Sequence, residues 1–430
     1  MPSHILIRNG TVLDPGRYHG PGDVLIEGPV IKAVGRDLPV SLRSPRSLLT
    51  IDATGLLVVP GLIDLHVHLR EPGFEYKETI ETGTMAAVAG GFTSVCCMPN
   101  TNPVNDNQAV TDFIRAKAAA AGKARVFPIG AITKGSQGKE LADIGELVEA
   151  GCVAISDDGR PVMDSSIMRR AMEYARAFDV PVVDHCEDLH LTTRGCMNEG
   201  LVSTQLGIPG MPNAAEDVMV ARNLALAELT GAKLHLAHIS TAGSVRLIRE
   251  AKARGLAVTA EACPHHFTLT DEATKTFDTN AKMNPPLRTS GDVDAIKDGL
   301  ADGTIDVIAT DHAPHAVQEK QLEFDAAPFG IVGLETALPL TLALVDDGIL
   351  TLETALRKLT VEAARVFGLK KGTLAPGADA DVVIIDPARE WTVDVSRFYS
   401  KGRNTPFASW RMRGKAVKTI VAGKLVYEAD

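Results

Sequence analysis

The sequence predicts an α/β protein: a (β/α)8 barrel of the TIM type with a small β-sandwich built from both chain termini. Three observations point there. The middle of the chain alternates β-branched apolar runs with stretches of helical period. Both ends read instead as short strands broken by turn pairs. His and Asp residues recur at the C-terminal ends of the middle runs, the end at which such barrels carry their chemistry. The chain has 430 residues, which allows two or three domains or one large barrel with an appendage.

Taken in order, the N-terminal runs HILIRNGTVLD and DVLIEGPVIKAVG are punctuated by Asn9-Gly10 and Gly28-Pro29, both hairpin-type signals. Residues 1–58 are expected to join residues 368–430 in the sandwich, because neither end alone supplies enough strands to bury a core. The barrel is expected over residues 59–367, with strand runs at 61–69, 91–99, 124–132, 152–159, 180–188, 233–240, 256–266 and 305–315. Helical patterns lie between them, clearest at 165–178, 215–231 and 241–255, with apolar residues at i, i+3 and i+4. Several are preceded by Ser, Thr, Asn or Asp and followed by Gly, as capped helices are. The last 60 residues return to the style of the first, with ADVVIIDP and then KTIVAGKLVYE around Ala422-Gly423.

Composition narrows the function. Lys and Arg number 44 against 54 Asp and Glu, a net charge of −10, which argues against a nucleic-acid or anionic-membrane partner. No apolar run approaches the roughly 18 residues of a spanning helix, and the chain opens without a secretory pattern. The six cysteines form no C-x-x-C pair, so reduced thiols in a cytoplasmic protein are expected. No G-x-G-x-x-G follows a strand and no P-loop is present, so no nucleotide cofactor is indicated.

Asp64, His66 and His68 alternate in DLHVHL at the end of the first barrel run. A period of two turns all three to one face, the barrel interior, and sets two imidazoles side by side as metal ligands. Hydrogen-bonded core histidines would explain this pair alone. They do not explain Asp157 and Asp158 at the end of the fourth run, His185 at the fifth, His238 at the sixth, and Asp311, His312 and His315 at the eighth. Five strands thus deliver His or Asp to one rim. Imidazole with carboxylate suits zinc, or manganese, nickel or iron, and the donors suffice for two ions. A divalent metal lowers the pKa of bound water to about 7, making hydroxide available as nucleophile, and a carboxylate such as Asp311 could carry its proton to a leaving nitrogen. That chemistry is hydrolysis of an amide or related bond.

Arg70 follows the histidine pair, and its planar guanidinium suits a substrate carboxylate. Asn100 closes the second run and His315 lies four residues beyond Asp311. Without the metal cluster, an ion pair for Arg70, a turn role for Asn100 and a loop position for His315 would serve as well. Cys263-Pro264-His265-His266 is expected to support the site rather than bind metal, since the other donors already fill two sites.

The strings PGLIDLHVHLREPG, MPNTNP, SDDGRPVMD, DHCED, LAHIST, CPHH, MNPPLR and ATDHAPH, in this order over nearly the whole chain, resemble the longer (class I) bacterial dihydroorotases of the amidohydrolase superfamily. The resemblance implies one zinc on His66, His68 and Asp311 and a second on His185 and His238. Asp158 would bridge them where many relatives use a carboxylated lysine, with Asp157 as the alternative. It implies Asp311 as general base and acid. Arg70, Asn100 and His315 would hold the substrate carboxylate, His68 would also border the substrate, and Asn284 with the Phe329-Gly330 backbone would contact the ring. The implied reaction is reversible closure of N-carbamoyl-L-aspartate to L-dihydroorotate, a step of pyrimidine synthesis, in a homo-oligomer that could associate with aspartate transcarbamoylase. The competing readings are a hydantoinase, dihydropyrimidinase or allantoinase, which typically carry a lysine where this chain has SDDG, and a non-catalytic scaffold for aspartate transcarbamoylase. The long charged segment before Gly330 is expected to move when substrate binds.

Overall fold

The computed structural model describes residues 4–38 and 48–430; residues 1–3 and 39–47 of the expected 1–58 segment lie outside the described residues. The chain is mixed α/β. It opens with an antiparallel meander of β1 (His4–Asp14), β2 (Tyr18–Glu27) and β3 (Val30–Gly35). β4 (Leu48–Asp52) and β5 (Leu57–Pro60) both lie parallel to β1, β4 along its first half and β5 at Thr11 and Val12.

Asn9-Gly10 is not the expected turn. It is a bulge inside an unbroken β1, where Asn9 holds a φ of 62° and its amide donates to Asp52 Oδ1 at 3.0 Å. A Cβ on Gly10 would stand 2.6 Å from Val58 Cγ2, so close packing on β5 requires the glycine. Bulge and hairpin share the Asn-Gly signature because both use positive φ. Gly28-Pro29 does join two antiparallel neighbours, as expected.

The parallel part begins with β6 (Leu62–Val67), β7 (Phe92–Cys97) and β8 (Arg125–Pro128), a three-stranded sheet. β9 (Ile155–Ser156) and β10 (Val182–Asp184) follow; β11 (Met197–Asn198) and β12 (Gly210–Met211) form a separate small pair; β13 (Leu234–Leu236), β14 (Val258–Ala262) and β15 (Val307–Ile308) complete a five-stranded sheet in the order β15-β14-β13-β10-β9. Single parallel bridges join the free edges of the two sheets: Gly130 to Ile155, and Val67 to His312. Every expected strand run contains one of these eight strands. The runs are longer than the strands at both ends, and of the candidate ligands only His66 lies within a strand, the others just past one.

Helices Ser165–Ala177, Asn213–Thr230 and Ala242–Ala253 fall within one to two residues of their expected spans. Asp164 and Thr241 accept backbone N–H groups as N-caps, and Gly231 ends the second helix at a φ of 66°. One apolar core fills the space between the parallel strands and these helices.

β16 (Val382–Thr392), β17 (Arg411–Val421) and β18 (Lys424–Glu428) form a second meander, with Ala422-Gly423 at its last turn. β16 pairs antiparallel with β5, so both chain ends share one eight-stranded sheet. Ile31 N–H donates to Ala378 O at 2.8 Å, bringing β3 round to the segment that enters β16. Ile7, Val24, Ile26, Val58, Ile384 and Ile420 are fully buried inside the curl, and each aliphatic side chain so buried stabilises it by roughly 1.5–3 kcal/mol. Between β16 and β17 the chain leaves the sheet, and its Ser400 and Asn404 reach the rim of the parallel strands.

Candidate metal centre and active site

Cys96, Ala154, Val183 and Val307 belong to one buried cluster, each on or beside a different parallel strand. Asn100, Asp158, His185 and Asp311 lie two or four residues further along, a period of two carried just past the ends of their strands. His238 follows Ala237 by one residue, against that period, and its φ of 31° bends the backbone there. Arg70 and Asp311 also hold positive φ, 62° and 46°. Such conformations cost about 1–3 kcal/mol each and persist only where surrounding structure fixes them.

These residues converge. His66 Nε2 stands 3.4 Å from Asp158 Oδ1 and 3.5 Å from Asp311 Oδ1. His68 Nε2 is 2.9 Å from Asp311 Oδ1 and 3.5 Å from Asp158 Oδ2. His238 Nε2 lies 3.7 Å from Asp158 Oδ1 and 2.9 Å from His185 Nδ1. Three donor groups result: His66, His68 and Asp158; Asp158, His185 and His238; His66, His238 and Asp311. Asp158 belongs to two of them, and all six residues are buried. His66 Nε2 and Asp158 Oδ1 have no hydrogen-bond partner among the described residues. Buried polar atoms are normally paired. Two lone-pair atoms left open at the centre of an imidazole–carboxylate cluster are what a divalent cation would satisfy, so the residues fit a metal.

The adjacent acid faces elsewhere. Asp157 Oδ1 accepts from the N–H groups of Ile132 and Thr133, at 2.8 and 3.0 Å, and burial pushes its pKa up to about 6. Asp64, expected on the face of the histidines, braces backbone instead: its Oδ1 accepts from His66 N and Thr310 N, each at 3.1 Å. His312 also turns away, its Nδ1 accepting from Gly333 N at 3.2 Å.

A surrounding layer orients the donors, and most of it was not foreseen. Glu261 is fully buried; its Oε1 lies 2.6 Å from His66 Nδ1 and accepts His238 N–H at 3.2 Å, while its Oε2 lies 3.0 Å from His235 Nε2. Glu187 lies 2.8 Å from His185 Nε2. Burial opposes charge on His185, but Glu187 outweighs it and lifts the pKa to about 9. The available sequence signal was an acid inside a buried strand run, Glu261, and an acid two residues after a candidate ligand, Glu187.

The expected substrate residues lie around this centre. Asn100 Oδ1 meets His68 Nδ1 at 2.9 Å and its Nδ2 donates to Asp158 Oδ2 at 3.4 Å, so it orients two donors. Asn284 donates to Glu187 Oε2 at 2.9 Å. Arg70 donates from Nε to Pro314 O at 3.2 Å, with a terminal nitrogen 3.5 Å from His315 Nε2. Burial and the charges of Arg70, Lys77 and Lys320 push His315 down to about 2, so it is neutral. Its Nε2 donates to Phe329 O at 2.8 Å, and Gly330 N–H is taken by Lys282 O at 3.0 Å. In this arrangement His315 and the Phe329-Gly330 backbone close on each other rather than on open space. Lys282 Nζ donates to the carbonyls of Phe324, Asp325 and Ala327, and Asn404 Nδ2 to those of Ala313 and Gly330, so the segment expected to move is pinned in this conformation.

The chain is similar over residues 55–244 to the family described as Dihydro-orotase-like. It is 55% identical over 426 residues to the dihydroorotase of Geobacter metallireducens, covering 99% of this chain and 100% of that protein. It is 58% identical to the dihydroorotase of Syntrophotalea carbinolica, covering 98% and 99%. Among solved structures it resembles the L-hydantoinase of Arthrobacter aurescens, with a TM-score of 0.87 and 25% identity over 99% of this chain and 96% of that one. The D-hydantoinase of a Thermus species gives a TM-score of 0.84 at 27% identity, over 99% and 95%. No helix of the described residues is long and apolar enough to cross a membrane. With full-length identity of this order to named dihydroorotases, and a polar centre built for metal-assisted hydrolysis, the chain belongs to the dihydroorotase family of cyclic-amide hydrolases.

Proposed function

We propose that this enzyme interconverts N-carbamoyl-L-aspartate and L-dihydroorotate in cytoplasmic de novo pyrimidine synthesis, using zinc. The observation that carries the reading is the six-residue centre, with His66 Nε2 and Asp158 Oδ1 open at its middle and Arg70 at its rim. His66, His68 and Asp311 would hold one ion, His185 and His238 the other, and Asp158 both. Bound zinc supplies Lewis acidity and lowers the pKa of water to about 7. Asp311 takes up the proton at its carboxylate and returns it to the ring nitrogen as the ring opens. Its Oδ1, 2.9 Å from His68 Nε2, is held in place for that transfer. Arg70 and Asn100 hold the substrate carboxylate, and Asn284 borders the ring. His315 reaches the carboxylate by exchanging its contact with Phe329 O, and the same exchange frees the Phe329-Gly330 backbone.

The same reading takes the eight parallel strands as a closed (β/α)8 barrel over 59–367, supported by the two edge bridges, and the terminal sheet as a β-sandwich over 1–58 and 368–430. It also includes a homo-oligomer and association with aspartate transcarbamoylase, both testable by sizing with and without that partner. A panel of L-dihydroorotate, hydantoin, dihydrouracil and allantoin tests the substrate. The reading requires turnover of L-dihydroorotate far above the rest. Preference for an uncharged ring contradicts it, because Arg70 would then meet no carboxylate.

A further inference from the structure

Cys263, His265 and His266 form a donor cluster separate from the six residues above. Their ligating atoms lie within 4.8 Å of one another and all three side chains are buried. Cys263 is the N-cap of a short helix, Pro264–Thr268, so one turn brings a thiol and two imidazoles together; the two ring centroids are 4.3 Å apart. His266 Nε2 donates to Pro285 O at 2.9 Å, which fixes its tautomer and leaves the Nδ1 lone pair free. His266 Nδ1 and His265 Nε2 find no hydrogen-bond partner among the described residues, although the two side chains are only 3% and 1% exposed. A buried polar atom without a partner is costly, and two of them beside one thiol are unusual.

We propose that Cys263, His265 and His266 bind a further borderline-soft cation of the zinc class, distinct from the ions of the hydrolytic centre. Thiolate with two imidazoles selects zinc-like ions, whereas the catalytic cluster contains no sulfur. Binding exchanges the thiol proton for the metal: the S–H bond breaks, a sulfur–metal bond forms, and the proton leaves to solvent. Burial, and then the negative charges of Asp311, Glu261, Asp64 and Asp158, oppose a bare thiolate at Cys263, so a thiolate there calls for a cation beside it. The ion braces the substrate side of the centre: His266 holds Pro285, and the preceding Asn284 contacts Glu187, the partner of His185.

Cobalt(II) titration of the full-length, metal-stripped protein tests this. The catalytic donors are nitrogen and oxygen only, so a thiolate-to-cobalt charge-transfer band in the near ultraviolet reports the new site alone. Wild type should develop the band and take up one more equivalent of cobalt than Cys263→Ser, which loses the band while still turning over L-dihydroorotate. No band in the wild type overturns the proposal without any variant. A band that survives in Cys263→Ser, or equal cobalt stoichiometry in the two, overturns it as well. Turnover by Cys263→Ser with loss of the band separates this proposal from the dihydroorotase reading, which stands or falls on the activity alone.

Discussion

Replacing Glu261 by Gln removes one charge and one acceptor from the layer behind the proposed metal donors. The carboxylate serves three N–H groups: His66 Nδ1 at 2.6 Å, His238 N at 3.2 Å and His235 Nε2 at 3.0 Å. Glutamine has a single acceptor oxygen. Placed at Oε1 it keeps His66 and His238, but its NH2 then faces His235, which must change tautomer and donate through Nδ1 to Thr259 Oγ1, 2.8 Å away. The bond to His66 survives as a neutral one, weaker by about 1–2 kcal/mol than the charge-assisted bond it replaces. Carried to the metal through the ring, this lowers zinc affinity by about 10- to 100-fold, as loss of an outer partner to a metal-bound histidine does. Competition against a chromogenic zinc chelator measures it. Activity at saturating zinc should largely recover in Glu261→Gln, whereas Glu261→Leu, which strands three buried N–H groups, should lose stability too. Zinc affinity unchanged in Glu261→Gln would show that the Glu261 charge does not reach the metal through His66.

Arg70→Lys should lower kcat/KM for L-dihydroorotate about 10- to 100-fold, mostly through KM, since an ammonium cannot make the paired contact of a guanidinium; steady-state kinetics decide, and an unchanged KM removes Arg70 from the carboxylate. Asn404→Ala should lower the melting temperature and raise KM together, because the carbonyls of Ala313 and Gly330, each 2.9 Å from its amide, lose their donor; a melting shift with KM intact would limit Asn404 to stability. Lys320 gives a pH signature. Burial, then the charge of Lys282, depresses its pKa to about 7, against an ordinary 10.5 in the unfolded chain. Between those values the unfolded state binds the extra proton, so this group makes stability rise with pH from about 7 and level off near 10. Lys320→Met should flatten that rise in denaturant midpoints at pH 7 and 9.5, and parallel curves for the two proteins would contradict it.

The architecture was legible where period and position suffice. Each of the eight apolar runs contains a strand, and His66, His68, Asp158, His185, His238 and Asp311 meet because strand ends converge. The choice between Asp157 and Asp158 was not legible, since adjacent residues face opposite ways and only the fold says which faces in. Asn9-Gly10 misled because a bulge and a hairpin place the same demand on φ. Asn404 was hidden for another reason. It lies in the terminal segment far along the chain, yet it ties two loops at the rim, and no local pattern announces a contact across 91 positions. Glu187 is a local feature, two residues from His185; Glu261 reaches His66 across 195 positions, yet as an acid inside a buried run it stands out in the sequence.

The ultraviolet absorbance of L-dihydroorotate during incubation with zinc-loaded protein, wild type beside Asp311→Asn at matched metal content, decides whether this enzyme is a dihydroorotase. The wild type should consume dihydroorotate and form it from N-carbamoyl-L-aspartate in the reverse direction, and Asp311→Asn should do neither. Turnover by Asp311→Asn at the wild-type rate would remove Asp311 from proton transfer, and no turnover by fully metallated wild type would contradict the dihydroorotase assignment itself.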